Sequence, residues 1–292
     1  MSRIQRALIN LIPFIFVFLW STGFIAAKYA LPFIEPFFLL FIRMSLTVAA
    51  FALLCVVFRV KLLPLSLAGR QMVTGSLVHG AYLGGVFAAI KWGMPAGITA
   101  IVVGVQPLLT ACLGRLWLHE RLRPRQWLGL ALGLIGVVTV LLSSGRQMNV
   151  NLTWPAILAA LAALTGISVG TLYQKRYGAG TNLLAGSLWQ YVSAALIMAI
   201  LAFSCESRSV VWDTQLIFAL GWLVLGLSVT AILLLMYMIR EGETAKVASY
   251  FYLVPPVASI EAWVLFNESL SFPAICAIGV TVFGVYLATK RA

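Results

Sequence analysis

Apolar residues fill this chain in long, nearly unbroken runs, separated by short clusters of charged residues, Pro, Gly and Asn. The runs fall near 11–30, 36–58, 71–91, 96–118, 126–142, 154–174, 183–204, 216–238, 245–266 and 273–289. A helix needs about 20 mostly apolar residues to cross the hydrocarbon core of a bilayer, so each run predicts one spanning helix. Ten of them use roughly 200 positions and leave connections of only about eight residues, too short for a soluble domain. The pattern predicts an all-α integral membrane protein with ten transmembrane helices.

Composition agrees: of 292 residues 62% are hydrophobic and 10% charged, against about half and a quarter in soluble domains. The net charge of +12 would suggest nucleic acid in a soluble protein, but in a membrane protein Lys and Arg gather in cytoplasmic loops. With a cytoplasmic N-terminus, only Lys28, Lys91, Arg146 and Arg208 face outward. Arg43 and Arg115 fall within spans, and the other fourteen of the 20 Lys and Arg lie inside. Both termini are therefore expected in the cytoplasm. The basic N-terminus precedes an apolar stretch without a small-residue cleavage site, which reads as a first membrane helix rather than a removed signal. Cys55, Cys112, Cys205 and Cys276 lie inside apolar runs without metal or redox spacing, and are expected to be inert.

Two short stretches explain how the chain is organised. "WLHERLRPR" (117–125) and "VLFNESLSF" (264–272) each close an apolar run with a glutamate, Glu120 and Glu268, 148 positions apart. Three arginines follow the first and none the second. A unit of five helices used twice must enter the membrane in opposite senses, so one copy ends inside, where arginine is favoured, and the other outside. Pro107 with Pro255, Leu122 with Leu270, Gly136 with Gly284 and Ala100 with Ala248 keep the same offset. At 147, Ser21 aligns with Ser168, Gly23 with Gly170, Lys28 with Lys175 and Arg43 with Gln190. Two inverted five-helix repeats are expected, over 1–146 and 147–292.

The mid-run proline, the "LWLHERL" and "VLFNESL" stretches, the Gly-rich "WLGLALGLIGVVTVL" (127–141) and the opening "FLWSTGFIAAKYAL" (18–31) together resemble the EamA repeat of the drug/metabolite transporter superfamily, over essentially the whole chain. That resemblance implies a ten-helix secondary transporter of the bacterial inner membrane, exporting amino acids, related metabolites or toxic organic cations.

In a transporter of inverted repeats the substrate is expected at mid-membrane between the halves, where interrupted helices free backbone groups. Pro107, in "GVQPLL", and Pro255, in "YLVPPV", lie about midway along their spans, each removing one helical hydrogen bond, with Gln106 beside the first. Arg43 stands seven positions into the second span, where a charge costs about 2.5–3.5 kcal/mol even on insertion scales. Glu261 lies at similar depth, so either the two form a structural ion pair or Arg43 meets a substrate carboxylate. His79 is placed to titrate or to pack, and Gln190 is the repeat mate of Arg43. Trp20, Tyr82 and Tyr250 are candidate walls for a flat or cationic substrate, while Trp92, Trp117, Trp154, Trp212 and Trp263, near span ends, suit an interfacial belt.

No carboxylate is expected at mid-depth, which disfavours acid-coupled transport. Catalytic sets, metal spacings and phosphate loops are absent from the sequence, so neither an enzyme nor a cofactor is expected. The expected function is export of small amphiphilic metabolites, amino acids first and organic cations second. A sugar-phosphate or nucleotide-linked substrate is disfavoured, because a phosphate would want more than one buried cation. The expected partners are that small molecule and membrane lipid, with no nucleic acid. A monomer suffices, since one chain holds both halves.

Overall fold

The structure is a computed structural model describing residues 3–94, 96–143, 153–242, 244–266 and 271–290, with the side chains of 3–10, 24, 28, 96, 97, 262 and 266 left aside. Helix is the regular structure among its described residues, joined by loops and turns, with one isolated antiparallel bridge between Ile34 and Val210. We label the helical rods α1 (Arg3–Ala30), α2 (Pro36–Val57), α3 (Leu65–Lys91), α4 (Ala96–Gly104 and Gln106–Trp117), α5 (Pro124–Ser143), α6 (Trp154–Tyr177), α7 (Leu183–Cys205), α8 (Thr214–Glu241), α9 (Thr244–Ser249, Tyr250–Leu253 and Val254–Phe266) and α10 (Phe272–Thr289). Eight of these, all but α1 and α9, are long and apolar enough to cross a membrane. The first expected span lies in α1, whose apolar stretch is Leu11–Ala27, and the ninth is broken into the three pieces of α9. Glu268 and Leu270, and the expected boundary at 146/147, lie outside the described residues.

Local chemistry sets the helix starts. Asn182 Oδ1 accepts from the backbone N–H of Leu184 at 2.9 Å, and Asp213 Oδ1 from that of Gln215 at 2.7 Å, each satisfying a donor that the first turn leaves free. Pro36, Pro124 and Pro273 stand in first turns, where a missing N–H costs nothing.

Four rods are interrupted, in two pairs at the repeat offset. Within α3 a π-helical segment runs over Ser76–Ala81, and within α8 another runs over Leu223–Ala231, starting 147 positions later. α4 breaks at Val105, just ahead of Gln106-Pro107, and α9 passes through a 3-10 turn, Tyr250–Leu253, just ahead of Val254-Pro255. Each proline sits in the first turn after its break rather than at the break itself. Sequence places the proline but not the π segments, since widened turns depend on what packs against them.

Helix pairing crosses between the halves. α2 lies along α7 and α5 along α10; α6 packs on α3 and α4, and α1 correspondingly on α8 and α9. Small residues allow the close approaches. A Cβ on Gly129 would stand 2.5 Å from Gly284 O, and one on Gly284 would stand 2.5 Å from Gly133 N, so α5 and α10 touch backbone to backbone, as glycine permits in membrane helices. The outer surface of the bundle is apolar, with Leu53, Val56, Leu116, Phe218 and Phe272 all exposed, as lipid contact requires. Cys55 is buried, whereas Cys112, Cys205 and Cys276 lie on that surface.

Both ends of the bundle are stitched across the halves. At the end where α1 finishes, the fully buried Glu206 carboxylate accepts from the backbone N–H of Phe37 and Phe38 at 2.9 and 2.7 Å, and pairs with Lys91 Nζ at 3.1 Å. Beside it, Glu35 Oε2 accepts from Ser207 Oγ and the Arg208 backbone N–H at 2.9 and 2.7 Å. Slight burial of Glu35 raises its pKa, but those two bonds and the charge of Lys91 outweigh it and hold the carboxyl below the usual carboxylate range. At the end where α1 begins, Glu120 accepts from the Thr244 backbone N–H at 3.1 Å and from Thr244 Oγ1 at 2.7 Å, capping α9. Glu120→Ala is expected to destabilise the protein by about 1–2 kcal/mol through loss of that cap, read as a lowered Tm; an unchanged Tm would deny the cap any weight.

Candidate functional site

Around the two π segments α2, α3, α7 and α8 bring a set of polar side chains together at mid-bundle. Arg43, on α2, is 8% exposed. Its guanidinium makes one hydrogen bond with the described residues, from Nε to Ser228 Oγ at 2.9 Å, where Ser228 belongs to the π segment of α8. No described carboxylate lies within 4 Å of it. Tyr82 and Tyr191 lie within electrostatic reach of the guanidinium, as does His79. The Tyr191 ring stacks on His79 with centroids 4.4 Å apart, and on Phe51 at 5.7 Å. His79 is buried in the π segment of α3 beside Gln190, and its Nε2 has no hydrogen-bond partner. The Tyr191 hydroxyl, which faces Ser228, and Gln190 Oε1 also lack a hydrogen bond of good geometry. Buried polar atoms are seldom left in that state. A cation with open valences beside three such atoms is the chemistry of a receptor for a polar, anionic group.

A glutamine relay continues from this centre towards the end where α1 begins. Gln190 Nε2 donates to Gln71 Oε1 at 2.7 Å and lies 3.4 Å from Gln174 Oε1, and Gln71 Nε2 donates to Thr181 Oγ1 at 3.2 Å. Gln174 also lines a cavity of about 60 Å³ with Lys175, Gly178, Ala179, Leu183 and Arg240. The relay ties α3, α6 and α7 together.

An aromatic wall closes another side. Trp20, half-buried on α1, lies beside Tyr82 and packs against Phe16 at 5.2 Å and Phe251 at 5.5 Å. The ring of "YFY" that meets Trp20 is thus Phe251. Tyr250 instead meets the exposed Phe14, at 6.4 Å. Val103, ahead of the break in α4, packs into the same cluster as Tyr82 and Trp20. One turn beyond it, buried Gln106 leaves Nε2 unpartnered, and Thr110 Oγ1 is unpartnered a further turn on. Pro107 is buried, and half-buried Pro255 accepts at its carbonyl oxygen from Ser259 Oγ at 2.9 Å.

Five of the expected residues therefore share one neighbourhood: Trp20, Arg43, His79, Tyr82 and Gln190. Gln106 and Pro107 stand at the break of α4, and Tyr250 and Pro255 at that of α9. Arg43 and Glu261 do not pair with each other. While Arg43 turns to Ser228, Glu261 Oε1 accepts from Ser21 Oγ at 2.6 Å. Each charge takes a hydroxyl from a neighbouring helix instead. Ser228, Gln71, Gln174 and Ser21 escaped sequence reasoning, because Ser and Thr in membrane helices ordinarily bond their own preceding turn. The glutamines carry a usable signal: an amide inside an apolar run needs a partner.

Interrupted helices meeting around a buried cation and open polar atoms, in an all-helical apolar bundle, define a membrane transport protein. The backbone matches a solved crystal structure with a TM-score of 0.83 at 22% identity, covering 97% of this chain and 96% of the other, which shows the fold. The chain belongs to the EamA-like transporter family, whose model matches it twice, over residues 7–142 and 154–290. It is similar to the "Uncharacterized inner membrane transporter YedA" of Escherichia coli (strain K12), 32% identical over 229 residues, 78% of this chain and 73% of that protein. It is also similar to the "Probable amino-acid metabolite efflux pump" of Salmonella typhimurium, 27% identical over 285 residues, 93% of this chain and 91% of the other. Members of this family, part of the drug/metabolite transporter superfamily, are transporters, which points away from an enzymatic role.

Proposed function

We propose that this protein exports amino acids or closely related small amphiphilic metabolites across the cytoplasmic membrane by alternating access. In this reading ten helices span the bilayer as two inverted repeats over 1–146 and 147–292, with both termini in the cytoplasm. The observation that carries it is the guanidinium of Arg43, buried at mid-bundle with one hydroxyl partner and no described carboxylate within 4 Å. Protein interiors tolerate a buried charge poorly unless it is paired, and a substrate carboxylate supplies the missing pair. His79, Gln190 and Tyr191 provide further polar contacts, and Trp20, Tyr82 and Phe251 form an apolar wall for the side chain. The likeness to a relative named as an amino-acid metabolite efflux pump agrees with this substrate class. An organic cation would be repelled by Arg43, and a phosphate would find one buried cation where it needs several.

The test is efflux from proteoliposomes holding the purified protein, loaded in turn with labelled tryptophan, threonine and a quaternary organic dication. At least one amino acid is expected to leave faster than from protein-free vesicles, and the dication is not. Efflux of the dication alone would sink the proposal.

A further inference from the structure

Two groups of three helices flank the candidate site: α1 with α8 and α9, and α6 with α3 and α4. Among the described residues, the close packing between these groups lies at the end of the bundle where α1 begins. There Thr244–Ser249, the first piece of α9, lies along Gln106–Trp117 of α4 and against α6, and Ile232–Glu241, the last stretch of α8, also meets α6. At the opposite end Thr214–Trp222 of α8 packs within its own group, and Val254–Phe266 of α9 packs within that group and on α5.

Polar contacts divide in the same way. Where α1 begins, Lys175 Nζ of α6 donates to the carbonyl oxygens of Arg240 and Gly242, at the end of α8, at 2.9 and 2.8 Å. Glu120, just past α4, accepts from Thr244, the first residue of α9. Gly114 of α4 makes room for that pair: a Cβ there would stand 3.2 Å from Glu120 Oε2, 3.3 Å from Thr244 Oγ1 and 3.5 Å from Leu172 Cδ2 of α6. Both contacts join one group to the other. Where α1 finishes, Trp222 Nε1 donates to Thr22 Oγ1 at 2.8 Å, Gln215 Nε2 to Tyr29 O at 3.1 Å and Thr153 Oγ1 to Trp92 O at 2.9 Å, each within a single group. Helices that meet at one end and not at the other have the form of a transporter closed on one side.

We propose that Lys175 and the Glu120–Thr244 pair are the lock that holds the cytoplasmic end shut between turnovers. When the groups rock apart, Lys175 leaves its two carbonyls and Thr244 leaves Glu120. Thr110, fully buried one turn behind Gly114 on the same face of α4, is then uncovered. Lys175 is half-buried and Arg240 is exposed, so water can serve the freed helix-end carbonyls and the lock can be remade in each cycle. These residues position the helices and set the balance between two states, without touching substrate. Placing this end in the cytoplasm rests on the export reading above.

Thiol labelling tests the lock without any substrate. Single cysteines are introduced as Thr110→Cys and, on the other side of the break in α4, Val103→Cys, in a chain whose own four cysteines are changed to serine. Their rates of reaction with a membrane-impermeant reagent are measured on the purified full chain in nanodiscs. Lys175→Met is expected to speed labelling at Thr110→Cys about tenfold or more, the scale of a lost charge-assisted hydrogen bond, and not to speed it at Val103→Cys. A gain at one reporter alone is what a displaced two-state balance gives. Thr244→Val keeps the shape and loses the hydroxyl bond to Glu120; it is expected to act in the same direction, and it serves where Lys175→Met does not fold. Arg176→Met removes a bond from Nη1 to Trp117 O, 2.9 Å long and within one group, and is expected to change neither rate. Unchanged labelling at Thr110→Cys in the lock variants would overturn the proposal. So would faster labelling at both reporters, because Lys175 would then be a cap on α8 whose loss loosens the whole fold. The expected shift in a protein that moves no amino acid would leave the lock standing and sink the export reading alone.

Discussion

Arg43→Met is expected to stop transport and to leave the empty protein at least as stable as before. The two halves of this expectation have opposite signs, and a purely structural arginine would not produce that combination. The guanidinium sits about 10 Å from the start of its helix, at 1.5 Å per residue, with a single hydroxyl for company. Methionine keeps most of the volume and discards a charge whose burial is not compensated within the described protein, so stability is expected to hold or rise. Transport loses the group that would pair with the substrate carboxylate. Truncating one side of a buried charged pair costs about 2–5 kcal/mol, at least roughly a thirtyfold drop in transport efficiency. Arg43→Lys keeps the charge without the planar fork and is expected to fall between the two. Efflux measured with an amino acid and with its amide, together with Tm values of the empty proteins, decides the matter. Loss of the amino acid but not the amide in Arg43→Met assigns the carboxylate to Arg43. Equal loss of both, with a falling Tm, would make Arg43 a packing residue.

Gly75→Ala is expected to prevent folding into the native bundle, although it adds a single methyl group. A Cβ at this position would stand 2.1 Å from the carbonyl oxygen of Gln190 and 2.4 Å from its Cα. The obstruction is backbone, so no rotamer relieves it and α3 must part from α7. The expected destabilisation is about 3 kcal/mol or more, at the upper end for overpacked cores, with Gln190 pushed out of register with Gln71. Gly69, on the same helix, meets nothing within 4 Å. Gly69→Ala is therefore expected to be neutral or to stabilise by up to about 1 kcal/mol through helix propensity. Yield of monodisperse protein and Tm for the pair give the comparison. Equal behaviour would mean that α3 and α7 do not meet at Gly75.

Much of this architecture is legible in the chain before any coordinates are seen. The apolar runs give the rods, and the 148-residue offset between Glu120 and Glu268 gives the duplication, because apolar length and terminal charge obey the bilayer rather than the details of packing. Arg43 and His79 announce themselves as polar residues in apolar runs. What they touch is another matter. Depth alone brings Arg43 and Glu261 together on paper, yet depth says nothing of which faces of two helices meet, and each turns to a serine. The π segments of α3 and α8 are equally hidden, since a widened turn answers to the helix packed against it. Phe251 rather than Tyr250 reaches Trp20 because the 3-10 turn rotates that stretch of α9 relative to the regular helix the sequence suggests.

The crossing of helix partners between halves has a further consequence. The piece of chain that was duplicated and the piece of protein that could move as a body are different objects. By packing, α1 travels with α8 and α9, and α6 with α3 and α4, while α2 with α7 and α5 with α10 form the seams. Neither half, cut out alone, would keep its main neighbours, so each should be insoluble by itself and rescued by the other when both are made in one cell. A label on α1 should then report the movements of α8, more than half the chain away, before those of α2, the next helix in sequence.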